Sequence, residues 1–483
     1  MRYLIALFVP LILGAFSLVK ADSVPAKKPN IVFMLSDDQA WNGLSVPMHP
    51  EVAGSRGEAF RTPNLEKMAA QGMRFSAAYS PAPVCSPTRI SLQTGKSPAQ
   101  LHWTKAAPAV DGQKLTEPRL IKQLSTSEIT IAELLHGAGY ATAHYGKWHI
   151  GGGGPAKHGY DESDGDTGNE HAYQFKDPNP VDIFGMASRA ANFMEKNKKA
   201  GKPFFIQMSW NALHASENAL KATLAKYEKL GSGKNMTRAA ITEDLDTGVG
   251  RVLKSIDDLG LGDNTYVIYM ADNGMGAGGR GPLSGGKGDV YEAGIRVPLI
   301  VRGPGVKPNS WCHTRVVGYD WFPTFCDWAG IGKTALPKGT EGGSLANLLL
   351  KDGQGRVTRP REGLFFHFPH YQSGETPHSA IILGDMKLIK HYEDNRLSLY
   401  DLAKDMRERN DLSKKLPNET TQMDKRLTDY LASVNAQIPT INSRFDPNAP
   451  NSNTKQGGDK KGQGKMGAGQ KKNKQGKMGP EGE

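Results

Sequence analysis

The chain has 483 residues, a formal net charge of +11, 38% hydrophobic residues and three cysteines. That length fits one large domain with an appendage as well as several smaller domains, and so thin a cysteine count excludes a disulfide-held scaffold. The charge does not argue for nucleic acid, because eight Lys against three acids beyond Pro447 place +5 of the +11 in the tail.

The N-terminus sets Arg2 before an apolar run from Leu4 to Val19, and Val19-Lys20-Ala21 suits cleavage after Ala21. Residues 1–21 therefore read as a signal peptide, and the mature chain is expected to be exported, periplasmic or secreted. A membrane anchor is the competing reading, weakened by a short run broken at Pro10. NIVFML (30–35) reads as a buried strand, and Thr62-Pro63 as an N-cap followed by proline at the first helical position. Thr130 and Glu133 have capping-box spacing, and Gly137 or Gly139 ends that helix before the strand YATAHYGK (140–147). PFFIQMSW (203–210) is the next strand. Ile241, Leu245, Val249, Val252, Ile256 and Leu259 recur at helical spacing, a core-facing stripe closed by Gly260. TYVIYM (265–270) and VPLIVRG (297–303) complete the series. Such alternation predicts an α/β unit over 22–355, built on a largely parallel sheet covered by helices on both faces.

Past residue 355 the pattern changes. AIILGDMKLIKHYEDNRLSLYDL (380–402) predicts short antiparallel strands with turns at Gly384-Asp385 and Glu393-Asp394-Asn395, followed by a helix from Glu419 to Val434. Residues 356–445 thus form a small α+β subdomain. The Gly/Lys/Gln-rich tail, 446–483, repeats QGKMG at Gln463 and Gln475 and is expected to be disordered. It serves either as a weak contact to anionic polymer or envelope, or as a solubilising appendage.

Ligand sites in open α/β sheets lie beyond the carboxyl ends of the strands. SDDQ (36–39), GKWHIGGGG (146–154), NALH (211–214) and ADNG (271–274) all follow predicted strands. Asp37-Asp38 alone could cap a helix, and Asp272-Asn273-Gly274 alone could be a turn. Together they supply three carboxylates and an amide oxygen, a donor set suited to a hard cation such as Ca²⁺. His149 and His214 could be core histidines, but near Lys147 and that acidic cluster they read as proton-transfer groups. GMGAGG (274–279) and GPLSGGKG (281–288) approach nucleotide-binding loops; the first lacks its helix, and the second has Gly288 where Ser or Thr is needed. A Gly-rich loop presenting Lys287 remains. Cys85, four residues before Arg89, could be a thiolate nucleophile, although soft sulfur suits a hard oxygen-ligated cation poorly.

These residues resemble the type I sulfatases. CSPTR (85–89) fits that family's C-x-P-x-R signature and runs into SLQTGK. PNIVFMLSDDQ, YGKWHIGG, SWNALH, MADNG, GGKGDVYEAGIRVP and LYDLAKDMRERNDL extend the likeness from Pro29 to Ile438. The resemblance implies an alkaline-phosphatase-like sandwich with a large mixed, mostly parallel sheet. It implies that a formylglycine-generating or maturase enzyme oxidises Cys85 to Cα-formylglycine before folding. One Ca²⁺ would be held by Asp37, Asp38, Asp272, Asn273 and residue 85. By the same carry-over the hydrated aldehyde attacks sulfur, Arg89 and Lys147 polarise it, His149 contacts it, and His214 and Lys287 bind sulfate and protonate the leaving oxygen. Ala271 stands where Ser is usual, and His214 is followed by Ala215-Ser216 rather than a proline two places on. Trp103, His144, His367 and His370 either line the pocket or are structural. The sequence therefore predicts a sulfatase acting on sulfated carbohydrate. A phosphodiester or phosphonate ester hydrolase, or a silent sulfated-glycan binding protein, is the alternative. Two sequons begin at Asn235 and Asn418.

Overall fold

A computed structural model describes residues 27–214, 218–230, 234–275 and 281–448. The expected leader, Ala215-Ser216, most of the Gly274–Gly279 loop and the tail beyond Asn448 lie outside the described residues.

The strands, in chain order, are β1 (Asn30–Ser36), β2 (Met73–Phe75), β3 (Ala78–Tyr79), β4 (Leu115–Thr116), β5 (Ala141–Gly146), β6 (Glu162–Ser163), β7 (Phe204–Ser209) and β8 (Thr265–Ala271). They continue as β9 (Leu299–Arg302), β10 (Ser310–Cys312), β11 (Val316–Val317), β12 (Leu364–Phe368), β13 (His378–Leu383), β14 (Met386–His391), β15 (Leu397–Asp401) and β16 (Thr440–Ile441). The main sheet has the order β10-β2-β9-β8-β1-β7-β5-β6. Its centre is parallel: β1 pairs with β8 and β7, and β7 with β5.

Alternation along the strands sends side chains to two cores. Val32 and Met34 join Ile206, Met208 and the stripe Ile241, Leu245, Val249, Val252 and Ile256 of the helix Lys234–Asp258. Ile31, Phe33 and Leu35 face Ile90, Ile131, Leu135, Phe322 and Phe325 on the opposite side. A strand buried on both faces has no polar alternation, which is why NIVFML reads as a continuous apolar run. VPLIVRG departs from the parallel pattern: β9 runs antiparallel to both β8 and β2. Among the described residues of 272–298 the one helix is the short Glu292–Ile295, with no crossover helix, and β9 pairs beside β8 in the opposite direction.

The capping box forms as predicted, Thr130 Oγ1 accepting from Glu133 N while Glu133 accepts from Thr130 N. Pro63 opens its helix, but Thr62 makes no side-chain cap. Its hydroxyl instead accepts from Ser45 N at 3.0 Å. In the C-terminal subdomain β12-β13-β14-β15 form an antiparallel sheet, covered by the helix Pro417–Ser433. Tyr430 of that helix stacks on Phe365 at 3.8 Å, and its hydroxyl donates to Glu341 of the larger unit. The chain then returns to pair β16 with β4. Cys312 and Cys326 are buried free thiols. No helix among the described residues is long and apolar enough to cross a membrane.

Candidate active site

Four neighbouring strands, β8, β1, β7 and β5, run parallel and end at one edge, so the residues that follow them converge. Asp37 and Asp38 leave β1, Asp272 and Asn273 leave β8, Lys147 and His149 leave β5, and His214 follows β7. The turn out of β5 requires Gly146, whose φ is 87° and whose Cβ would lie 2.3 Å from the Ser209 carbonyl. Asp38 and His149 also have positive φ, 56° and 59°, a conformation costly for residues with a Cβ and characteristic of functional sites.

Carboxylate oxygens of Asp37, Asp38 and Asp272 lie within 4.8 Å of one another. Three cations hold this cluster. Lys147 Nζ donates to Asp37 Oδ2, and Lys287 Nζ pairs with Asp38 Oδ1 at 2.7 Å. Arg89 places Nε and Nη2 on Asp272 Oδ2, at 3.0 and 2.7 Å, and Nη1 on the Lys147 carbonyl at 2.6 Å. Arg89, expected beside the nucleophile, thus uses its donors on the acidic cluster and the β5 exit. Asn273 Nδ2 donates to Asp38 Oδ1 and to Gly274 O.

The fit to a cation can be tested on what these bonds leave over. Asp37 Oδ1 and Asn273 Oδ1 are buried and have no hydrogen-bond partner among the described residues. Buried acceptors without partners cost about 1–3 kcal/mol each and are rare in native proteins. Two in one cluster, both oxygens, suit a hard divalent ion. The titration behaviour agrees. Burial and then the Asp37 charge push the Asp272 carboxyl up to about 8. Burial also disfavours charge on Asp37, but Lys147, His214 and Arg89 outweigh it and hold that carboxyl well below the usual range. An added cation would favour ionisation of both.

Cys85 opens the helix Cys85–Thr94, and all ten residues of that helix are buried. Its position at a helix N-terminus favours negative charge there. Its Sγ lies 3.4 Å from His149 Nδ1, which also lies 3.2 Å from Ser86 Oγ. Burial, with Lys147 and Arg89, depresses His149 to about 3, so the ring is neutral and one of its nitrogens carries a lone pair. Lys287 keeps its charge: burial opposes it, but Asp38 more than compensates. Its loop is fixed by Gly288 N donating to Pro83 O at 3.0 Å, beside the cysteine, and by Asp289, which accepts from Gly286 N and Tyr291 N.

Trp103, His144, His367 and His370 are tied into the interior. Trp103 Nε1 donates to Lys105 O, and His144 packs edge-on to Trp148. His367 bonds Ser379 and the Gln437 carbonyl, and His370 sits between Thr104 and Glu117.

Comparison with known proteins decides the family. The sulfatase family model matches residues 29–331, and the model of the C-terminal part of N-sulphoglucosamine sulphohydrolase matches 286–437. The chain belongs to the sulfatase family. It is 30% identical to a sulfatase of Formosa agariphila over 85% of this chain and 90% of that protein. It is also 30% identical to human arylsulfatase A over 72% of this chain and 71% of that one. Among solved structures, Ps i-CgsB in complex with k-i-k-neocarrahexaose superposes with a TM-score of 0.69 at 23% identity, covering 84% of this chain and 93% of that chain. The sulfatase fold and sulfuric ester hydrolase activity follow from membership.

Read as a sulfatase, the chain places all ten predicted residues at or beside one sheet edge. Sequence reasoning missed Ser86, the motif's variable position, and Thr167, whose carbonyl accepts from His149 N and whose hydroxyl donates to Gly146 O. It also missed Tyr173, whose hydroxyl meets His214. Nothing in their local pattern signals these contacts.

Proposed function

We propose that this sulfatase cleaves sulfate monoesters of carbohydrates, with a formylglycine made from Cys85 and a Ca²⁺ ion held by Asp37, Asp38, Asp272, Asn273 and residue 85. When present, the hydrated aldehyde supplies a nucleophilic hydroxyl and the ion neutralises sulfate oxygens. The observation that carries the reading is the pair of unpartnered buried oxygens, Asp37 Oδ1 and Asn273 Oδ1, in the cluster that faces Cys85 and His149. Around it the chain's own residues have separable tasks. Lys147, Lys287 and the amides at the start of the Cys85 helix bind the anionic end of the substrate. Arg89 opposes the upward push on the Asp272 carboxyl and holds it in place. His149 takes a proton from the group at position 85, and His214 gives one to the leaving oxygen.

The carbohydrate preference is supported by relatives. The mouse N-acetylgalactosamine-6-sulfatase is 31% identical over 66% of this chain and 66% of its own length, and BT4656 was crystallised with its substrate D-glucosamine-2-N,6-O-disulfate. Export through the leader 1–21 would bring the enzyme to extracellular sulfated polymers.

Peptide mass spectrometry across residue 85, on protein made with a formylglycine-generating enzyme, tests the nucleophile. The aldehyde or its hydrate is expected, followed by turnover of 4-nitrophenyl sulfate and of members of a sulfated-sugar panel. A stronger rate on 4-nitrophenyl phosphate or a phosphodiester would redirect the reading to a phosphoryl or phosphonate ester hydrolase. Full aldehyde with no turnover of any ester would favour glycan binding without catalysis.

A further inference from the structure

We infer that Tyr173 is a positioning residue that fixes which nitrogen of His214 serves ester cleavage; this rests on the proposed role of His214 as proton donor. Tyr173 ends the short helix Asn169–Tyr173, and its hydroxyl lies 2.7 Å from His214 Nδ1. The two rings are stacked at 26°, with centroids 6.3 Å apart. The segment carrying Tyr173 is fastened on both sides of the site. Asn211 Nδ2 donates to Gly168 O at 3.3 Å, Asn218 Nδ2 donates to Phe175 O at 3.0 Å, and His149 N donates to Thr167 O at 2.8 Å. His214 itself is held by its own N–H on Asn211 O at 2.8 Å. Phenol and imidazole therefore meet through backbones that are tied to each other.

A phenol can donate or accept. Against a neutral imidazole Tyr173 donates to Nδ1, which leaves the ring hydrogen on Nε2. Against an imidazolium it accepts from Nδ1–H, and Nε2 again carries a hydrogen. In both charge states Nε2 is the nitrogen that presents a proton. The tautomer matters because only a ring nitrogen that carries a hydrogen can pass one to the leaving oxygen. In the cleavage step an oxygen nucleophile bonds to sulfur as the bond between sulfur and the leaving oxygen breaks. The electron pair of the broken bond goes to the leaving oxygen, and that oxygen takes the Nε2 proton. The imidazolium becomes neutral and retains Nδ1–H on Tyr173. Without the hydroxyl, the neutral ring can place its hydrogen on Nδ1 and turn a lone pair toward the sulfate. Tyr173 touches no reacting atom; it acts through His214.

The contact is tested by Tyr173→Phe, which keeps the stacked ring and removes only the hydroxyl. The aldehyde-bearing enzyme is assayed on aryl sulfates graded from 4-nitrophenol to phenol as leaving group, with His214→Gln measured in parallel. Because proton donation matters most for poor leaving groups, kcat/KM is expected to fall about ten-fold on phenyl sulfate and less than about two-fold on 4-nitrophenyl sulfate. His214→Gln should show the same trend more steeply. An equal loss across the series, or none, in Tyr173→Phe would overturn the inference while leaving His214 as the donor. A flat profile in His214→Gln would overturn the donor role itself, and the inference with it.

Discussion

Two of the buried charge clusters among the described residues differ in a way that burial and charge balance do not reveal. At the sheet edge, Asp37, Asp38 and Asp272 face Arg89, Lys147 and Lys287. At the joint between the units, Glu292 and Glu408 face Arg296 and Lys387. Opposite charges are equal in number within each. In the joint Lys387 Nζ bridges Glu292 at 2.9 Å and Glu408 at 2.7 Å. Arg296 fills its donors on Glu292, Tyr79 and the Ser76 carbonyl, and Glu408 also accepts from Glu292 N. The joint's one oxygen without a hydrogen bond among the described residues, Glu408 Oε1, still meets Lys387 Nζ as an ion pair. The sheet-edge cluster instead leaves two buried oxygens, on Asp37 and Asn273, without a hydrogen bond among the described residues. A closed network of ions holds parts of a fold together, whereas open lone pairs mark a place made for something else to bind.

Substitutions should separate the two. Asp37→Asn is expected to lower kcat/KM by at least about 10²–10³-fold with a smaller loss of stability than a break in the joint, because it removes transition-state electrostatics more than packing. Steady-state kinetics alongside a thermal melt checks both halves, and a melt that collapses would make the two clusters alike. Lys387→Met should do the reverse. Leaving buried Glu408 without its cation, and Glu292 with Arg296 alone, is expected to cost about 3–5 kcal/mol in denaturant unfolding, while the folded fraction keeps its turnover. Chelation gives a smaller contrast. Adding Ca²⁺ at about 100 times its Kd to chelated enzyme should raise stability by about 2.7 kcal/mol. Lys387→Met should retain that gain and Asp37→Asn should lose most of it.

The smallest effect is a pH dependence seated in the joint. Burial pushes Glu408 up to about 7 from its ordinary 4.5, against the pull of Lys387. The folded state thus holds a proton that the unfolded chain releases, so this contribution is present below pH about 4.5 and is lost as pH rises to about 7. Urea melts at pH 5.5 and 7.5 should show wild type losing on the order of 1 kcal/mol more than Glu408→Gln. Identical slopes would remove Glu408 as the titrating group.

Much of the catalytic edge is legible in the sequence because its residues sit immediately after strands that announce themselves. Asp37 and Asp272 each follow a buried, mostly apolar run and Lys147 follows the buried strand ATAHYG, and parallel packing of those strands does the rest. The helix stripe from Ile241 to Ile256 and the Thr130 box are equally local signals. What is lost involves competition between distant groups. Thr62 has the residue type for a cap, yet Ser45, seventeen positions away, takes its hydroxyl. His367 and His370 look like site histidines until the partners Gln437 and Glu117 appear. Tyr173 meets His214 across 41 positions, and only the folded chain shows it. The reversed direction of β9 depends on the path of residues 272–298, which no periodicity encodes.

The joint also bears on how such a protein can change over generations. Lys387 and Glu408 come from the smaller unit and Glu292 from the short helix that follows the Lys287 loop, while β16 is paired to β4, far back in the chain. A recombination breakpoint near residue 355 would keep the Lys387–Glu408 and Arg296–Glu292 pairs within their own halves but would give each half a partner surface lacking the Lys387–Glu292 and Glu292–Glu408 bonds across the joint. The heritable unit is therefore the whole span from β1 to β16. New specificities in this lineage should arise by drift in the surface loops around the sheet edge more readily than by exchange of the C-terminal subdomain.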